Sequence, residues 1–292
     1  MVKQKIIKSP INYMGSKRRL LPQLLPELQQ DNIDTFFDLF AGAGNVSLNV
    51  KAQFHVWNDL STPLIQMFKD LSTLNTLQFE ALKSMSLALT NKDKFLKLRA
   101  DYNSGYFECD FDKSISLYLL IIASFNGLPR FNKAFEYNMP YANSERVNKR
   151  YLENKLKILG DFIKVIKNGS YGFTSKSYDK VINLNTVHDN DLVYMDPPYS
   201  LTTATYNDGK RGLNWTEEDD VKLVNYFNDL TQAGVKTAMS NVLSHRGKVN
   251  TVLMEFIKAN PDFKIVHLNM DYSNSTYHTK SGKSDEILIK NY

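Results

Sequence analysis

The sequence runs to 292 residues, 42% hydrophobic and 23% charged, which is ordinary for a globular chain long enough to bury a sizeable core. Lys and Arg total 36 against 31 Asp and Glu, a net charge of +5 that permits a polyanionic partner without requiring one. A single cysteine, Cys109, excludes an intramolecular disulfide and a thiolate zinc cluster. The five histidines (His55, His188, His245, His267 and His278) are scattered without ligand-like spacing, so no metal site is expected. Lys3, Lys5 and Lys8 precede no apolar stretch, so no signal peptide is expected. The longest apolar run, 117–123, is too short to span a bilayer, and Asn274-Ser275-Thr276 reads as a chance sequon. A cytoplasmic protein with no membrane contact and no obligate protein partner is expected.

In chain order, residues 35–40 form a buried strand that stops at Ala41-Gly42-Ala43-Gly44. A short helix is expected over 45–51, then a second strand over 54–57 ending at Asn58-Asp59. Strand, glycine turn, helix and strand open a Rossmann-like sheet. From 62 to 167 the pattern turns helical: Leu64, Ile65, Phe68 and Leu71 recur at helical spacing, as do Phe95, Leu98 and Tyr102. Further helices are expected over 114–125 and 146–166, with a loop over 126–144 between them. Alternation resumes near Tyr171, with strands at 192–195, 235–240, 263–268 and 287–290 and a helix at 216–233 capped by Thr216. The fold class expected is therefore α/β: a Rossmann-like sheet domain (1–61 and 168–292) interrupted by a mainly helical insertion (62–167).

Asp196-Pro197-Pro198-Tyr199 is the sharpest motif. It leaves a buried strand at its carboxyl end, where open α/β sheets place ligands. Two prolines cannot continue the ladder, so the chain exits rigidly with free carbonyls. A carboxylate beside a free carbonyl can hold an amino group that has two N–H donors, and Tyr199 offers a face for an aromatic base. A bare acidic-Pro-Pro turn is usually structural; the tetrapeptide in this context favours function. In Asp38-Leu39-Phe40-Ala41-Gly42-Ala43-Gly44, small residues let a ligand approach the backbone, and Asp59 suits ribose hydroxyls. An anion at Asp38 disfavours a pyrophosphate and suits a cationic cofactor, a sulfonium bearing an ammonium. Between Gly127 and Lys157 lie seven Lys or Arg and three Glu, with Phe131, Phe135, Tyr137 and Tyr141 among Arg130 and Lys133. That mixture suits nucleic acid, though a solvated loop has the same composition. Taken alone, Asn12 to Leu20 is only a basic, glycine-containing turn before a helix.

Tyr13-Met14-Gly15-Ser16-Lys17, the Asp38–Gly44 segment, Asn58-Asp59 and Asp196–Tyr199, in this order, resemble the Dam-type (D12 class) DNA adenine methyltransferases, most of all those of T-even phages. Ser124–Asn132 with Tyr137–Tyr141 resembles the family's recognition loop, and Ser240–Lys248 and Asp285–Tyr292 its late strands. The resemblance implies a site-specific enzyme acting on double-stranded DNA by base flipping, with S-adenosylmethionine as methyl donor. It makes GATC the first site to expect. It further implies that Asp196 and the Pro197 carbonyl hold the target amino group while Tyr199 stacks on the base. Asp59 would hold the cofactor ribose. Asp38, Phe40, Gly42, Gly44 and Tyr178 would line the cofactor, with Tyr13 and Lys17 at its methionine end. Arg130 would read a guanine, and Asn132, Asn138, Pro140 and Arg146 would complete the DNA contact. Two positions depart from the family pattern. Ser177-Tyr178 stands where an acidic-aromatic pair is usual, and Pro140-Tyr141-Ala142-Asn143-Ser144 where Pro-aromatic-Gly is usual. Three readings of other kinds compete: methylation of RNA adenine or protein glutamine, which needs no long helical insertion; a dehydrogenase, which leaves Asp196–Tyr199 unexplained; and a DNA-binding protein without catalysis.

Overall fold

The computed structural model describes residues 6–107, 109–143, 145–201, 215–269 and 284–292. Lys3, Lys5, Ser144, the sequon at 274–276 and His278 lie outside them. After a short 3-10 turn, Lys17–Arg19, helix α1 (Leu21–Leu28) leads into strands β1 (Thr35–Asp38) and β2 (Phe54–Asn58). Helices α2 (Thr62–Thr73), α3 (Thr76–Ala88), α4 (Lys92–Asn103), α5 (Asp110–Ala123) and α6 (Lys149–Asn168) follow. Then come β3 (Tyr171–Thr174), β4 (Leu192–Met195), α7 (Glu217–Gln232), β5 (Lys236–His245) and β6 (Lys248–Val249). Helix α8 (Thr251–Ala259), β7 (Lys264–Leu268) and β8 (Ser284–Lys290) complete the order.

The strands form one sheet in the order β3-β2-β1-β4-β5-β8-β7, with β6 paired to β5 off that path. The first five are mutually parallel, and β8 runs antiparallel between β5 and β7. The β1–β4 pairing is decisive for the site. Asp38 lies opposite Tyr194, so the strands that end in the glycine turn and in Asp196 are parallel neighbours. Their carboxyl ends open at one edge of the sheet, where the strand order reverses and a crevice forms.

Strand alternation explains the two covered faces. Val193, Met195, Ile287 and Ile289 pack with Leu223, Phe227, Leu253 and Phe256 of α7 and α8. Leu192, Tyr194 and Leu288 pack on the opposite side with α1, Val46 and Val50. Helices α2 and α6 join this second side at the β2–β3 end. There Trp57 meets Phe68 at 4.8 Å, Phe173 at 5.5 Å and Phe162 at 6.3 Å between ring centroids. One continuous core runs from Trp57 through α2 and α6 to Phe95 and Tyr118.

The helix expected over 45–51 is not regular; the chain makes consecutive turns there. Leu48 and Val50 N–H reach the Gly44 and Val46 carbonyls four residues back, at 3.0 and 3.1 Å, but Asn49 N–H bonds to Val46, three back, so the helical ladder is broken. Side-chain competition explains it: Asn45 and Asn49 bond backbone groups of the incoming N-terminal segment, at Ser9 and Ile7.

Candidate active site

The first wall grows from β1. Gly42 and Gly44 hold φ of +50° and +67°, the left-handed region that glycine adopts without penalty. A Cβ at Gly42 would lie 2.6 Å from the Tyr13 ring, so Tyr13 closes over the turn. Asp59 braces the turn from β2: Gly42 N–H donates to Oδ2 at 2.9 Å and Ser61 N–H to Oδ1 at 2.9 Å. Asn58 ties the neighbouring strand exits together. It donates to the Leu39 and Lys176 carbonyls at 2.9 and 3.1 Å and accepts from Lys176 N–H at 3.0 Å.

Asp38 is 1% exposed. Ser47 Oγ donates to its Oδ2 at 2.7 Å, while Oδ1 is buried with no hydrogen bond among the described residues. Burial pushes its pKa up to about 7 against the Ser47 bond, with the Asp196 and Asp59 charges adding to the rise.

The second wall is the exit of β4. Lys17, 5% exposed, places Nζ 2.7 Å from Asp196 Oδ1 and 3.3 Å from Glu286 Oε1. The Tyr199 hydroxyl lies 2.9 Å from Asp196 Oδ1 and 3.1 Å from Glu286 Oε1, so its proton is shared between two carboxylates. Lys17 Nζ also sits 4.8 Å from the Tyr199 ring centroid. One ammonium and one hydroxyl thus bridge two carboxylates in a nearly dry setting. Burial raises the Asp196 pKa; Lys17 opposes the rise and Glu286 reinforces it. Lys17 and Tyr199 both meet Asp196 on Oδ1, leaving Oδ2 without a hydrogen bond among the described residues. Pro197 is buried, and Pro198 borders the cleft.

Between the walls lies a cleft of about 590 Å³, which falls in the range of small-molecule sites. Tyr13, Phe40, Asp59, Tyr178, Asp196 and Arg130 all border it. A smaller hollow of about 40 Å³ adjoins under the glycine turn, bordered by Lys17, Asp38, Gly42 and Asp196. Phe40, Tyr178 and Trp215 form an aromatic wall, with centroids 5.2, 5.9 and 6.3 Å apart. Trp215 Nε1 donates to Asp220 Oδ1 at 2.7 Å. The other Asp220 oxygen accepts from Ser200 Oγ at 2.5 Å and Asn250 Nδ2 at 2.9 Å. Asp220, 1% exposed, thereby fixes Trp215 to the residue that follows Tyr199. Ser177, at the family's acidic position, bonds the Asp179 carboxylate and borders the cleft.

Residues 124–143 make a compact hairpin whose polar side chains are largely spent on its own shape. Arg130 donates Nε to Asn138 Oδ1 at 2.7 Å and Nη2 to the Asn138 carbonyl at 2.9 Å. Asn132 accepts from Ala134 and Glu136 N–H and donates to the Glu136 carboxylate at 2.7 Å. Pro140, exposed, gives its carbonyl to Phe125 N–H at 2.9 Å, and Arg146 donates to Asn126 Oδ1 at 3.1 Å. Arg130 still borders the cleft; Asn132, Asn138, Pro140 and Arg146 do not.

Sequence reasoning did not single out Glu286, Trp215 or Asp220 for the site. Glu286 had a signal: it is a carboxylate directly before the apolar run Ile287-Leu288-Ile289, and it is 2% exposed. The pairings of Trp215 and Asp220 depend on tertiary contacts and left no local trace.

A mainly parallel sheet with a glycine turn and a carboxylate exit on adjacent central strands defines a Rossmann-like methyltransferase fold. The family model for D12 class N6 adenine-specific DNA methyltransferases matches residues 13–274, and the chain belongs to this family. It is 36% identical to modification methylase StsI of Streptococcus sanguinis, over 99% of this chain and 43% of that protein. It is 37% identical to type II methyltransferase M.FokI of Planomicrobium okeanokoites, over 98% of this chain and 43% of that protein. The chain thus spans less than half the length of these two relatives. The DNA adenine methylase of Escherichia coli K12 is 24% identical over 79% of each chain. Among the described residues, no helix is long and apolar enough to cross a membrane.

Proposed function

We propose that the chain transfers a methyl group from S-adenosylmethionine to the exocyclic nitrogen of adenine in double-stranded DNA. One observation carries the reading: Asp196 borders both the small hollow under the glycine turn and the large cleft. A group held by its carboxylate would meet a ligand seated on the glycine turn.

The residues present fit the cofactor. The orphaned Asp38 Oδ1 suits a cationic amino or sulfonium end. Asp59 stands at the end of β2, where a ribose hydroxyl can be accepted, and Phe40, Tyr178 and Trp215 supply flat apolar faces for an adenine. S-adenosylmethionine supplies an electrophilic methyl on a positively charged sulfur. Asp196 Oδ2 and the Pro197 carbonyl would accept the two N–H bonds of the target amino group and favour its pyramidal, nucleophilic form. The nitrogen–methyl bond forms as the sulfur–methyl bond breaks, and the surplus proton leaves the nitrogen toward the Asp196 side. Lys17 and Glu286 would hold Asp196 in place. Adenine inside a duplex has to be extruded to reach this depth, at a cost of a few kcal/mol. We propose the segments 1–61 and 168–292 as the catalytic part and 62–167 as the DNA-recognition part, with Arg130 nearest the base.

The test is incubation with labelled S-adenosylmethionine and unmethylated DNA, followed by mapping of modified bases, with GATC the first site to inspect. Methyl-adenine in one short motif is expected. Label in RNA or protein but not in DNA would overturn the reading.

A further inference from the structure

A second charged cluster lies outside the cleft. It forms where the N-terminal segment, the hairpin and the start of α6 meet. Asn12 Nδ2 donates to the Asn126 carbonyl at 2.7 Å, and Arg146 donates to the Asn126 side chain at 3.1 Å. Asn126 holds φ of +61°, a left-handed conformation that asparagine tolerates, and both of its acceptors meet these partners. One turn into α6, the Tyr151 hydroxyl donates to the Ile122 carbonyl at 3.0 Å, and Lys155 Nζ lies 5.8 Å from the Tyr151 ring.

Lys155 is the anomaly. It is 8% exposed, yet it makes no ion pair and donates no hydrogen bond among the described residues. Its neighbours make matters worse. Burial, then the charges of Arg18 and Arg146, push its ammonium down to about 8. Neither arginine is paired with a carboxylate among the described residues, and both side chains are exposed. The acid on the adjacent turn, Glu153, lies toward Lys149 instead, at 3.9 Å. Three cations converge with no anion to balance them, an arrangement that costs folding free energy in the isolated protein. An anionic ligand would offset that cost.

We propose that Arg18, Arg146 and Lys155 form a phosphodiester-binding site that grips the DNA backbone beside the cleft. The inference rests on DNA being the substrate. A phosphate accepts several N–H bonds in one small volume, which is what a buried ammonium beside two exposed guanidiniums offers. Such contacts set the register of the duplex without reading sequence. Here they would fix the strand just outside the hairpin, so that Arg130 and the cleft face one nucleotide.

The experiment measures wild-type protein, Lys155→Met and Arg18→Gln against a duplex lacking any target site, over a range of salt concentrations. Each substitution is expected to weaken binding and to lower the slope of log K against log salt by about 0.9. Without DNA, Lys155→Met is expected to melt at a higher temperature than wild type, because an uncompensated charge has gone. A purely structural lysine would instead melt lower on removal. Wild-type affinity and slope in both variants would overturn the site, even if the wild type methylates DNA. A lost slope in protein that transfers no methyl to DNA would keep the site and overturn the catalytic reading. Wild type that binds no duplex would overturn both.

Discussion

Gly44→Ala tests the geometry beneath the cofactor turn. A Cβ at Gly44 would sit 1.9 Å from Cη2 and from Cζ2 of Trp57. Trp57 is fully buried and hemmed by Phe68, Phe162 and Phe173, so it cannot yield freely. Two costs add. Holding alanine at φ of +67° costs about 1–2 kcal/mol, and forcing an overpacked core apart costs about 1–3 kcal/mol. The sum is roughly 2–5 kcal/mol against a typical domain stability of about 5–15 kcal/mol. With a urea dependence of about 3 kcal/mol per molar, the midpoint falls by roughly 1 M. The two costs separate in a second background. Trp57→Phe deletes the atoms that clash and an indole N–H left without a partner, so there Gly44→Ala should cost only the backbone share. Urea melts of the four proteins decide it. Equal cost in both backgrounds would refute the packing argument, and an unmoved midpoint would refute the turn geometry itself.

Three further outcomes are expected. Asp38 binds its proton more tightly folded than unfolded, so its carboxyl costs stability as pH climbs from about 4 to about 7. Asp38→Asn should therefore stabilise the ligand-free protein at pH 8, by at most on the order of 4 kcal/mol, while cofactor binding measured calorimetrically collapses. Glu286→Gln removes a charge that raises Asp196, so the acid limb of the rate–pH profile should move to lower pH, while Asp196→Asn loses turnover at every pH yet still binds cofactor. A Glu286→Gln profile with an unmoved limb would show that the two carboxylates are not coupled. Arg130→Ala should relax sequence preference in a methylation assay on randomised DNA; equal weakening on every sequence would instead assign it to the phosphate backbone.

The sheet was legible because β1 and β4 are apolar runs ended by a glycine turn and by a proline pair, and β2 is one ended by Asn58-Asp59; these local rules hold wherever the strands pack. The site was legible as motifs and opaque as a network. Nothing in the spacing of Lys17, Asp196 and Glu286 says that they meet, since 269 residues separate the first from the last and β8 must thread between β5 and β7 to bring them together. Lys17 was expected at the cofactor's methionine end, and its pairing with the Asp196 carboxylate had no trace in the sequence. Arg130 illustrates the same limit: the resemblance implies a base reader, while the fold also uses it to close a hairpin. The segment after Gly44 was expected as a short helix, but Asn45 and Asn49 serve there as backbone partners for Ser9 and Ile7.

The chain contains two tryptophans, Trp57 and Trp215, and the fold puts them in opposite environments. Trp57 is sealed in an aromatic core, whereas Trp215 is half-buried on the cleft wall with its N–H fixed to Asp220. The protein therefore carries two intrinsic optical reporters. A ligand entering the cleft is expected to perturb the emission of Trp215 directly, whereas global unfolding should shift Trp57 to the red as water reaches it. Single-tryptophan variants would let occupancy and folding be followed separately in one cuvette, without a dye.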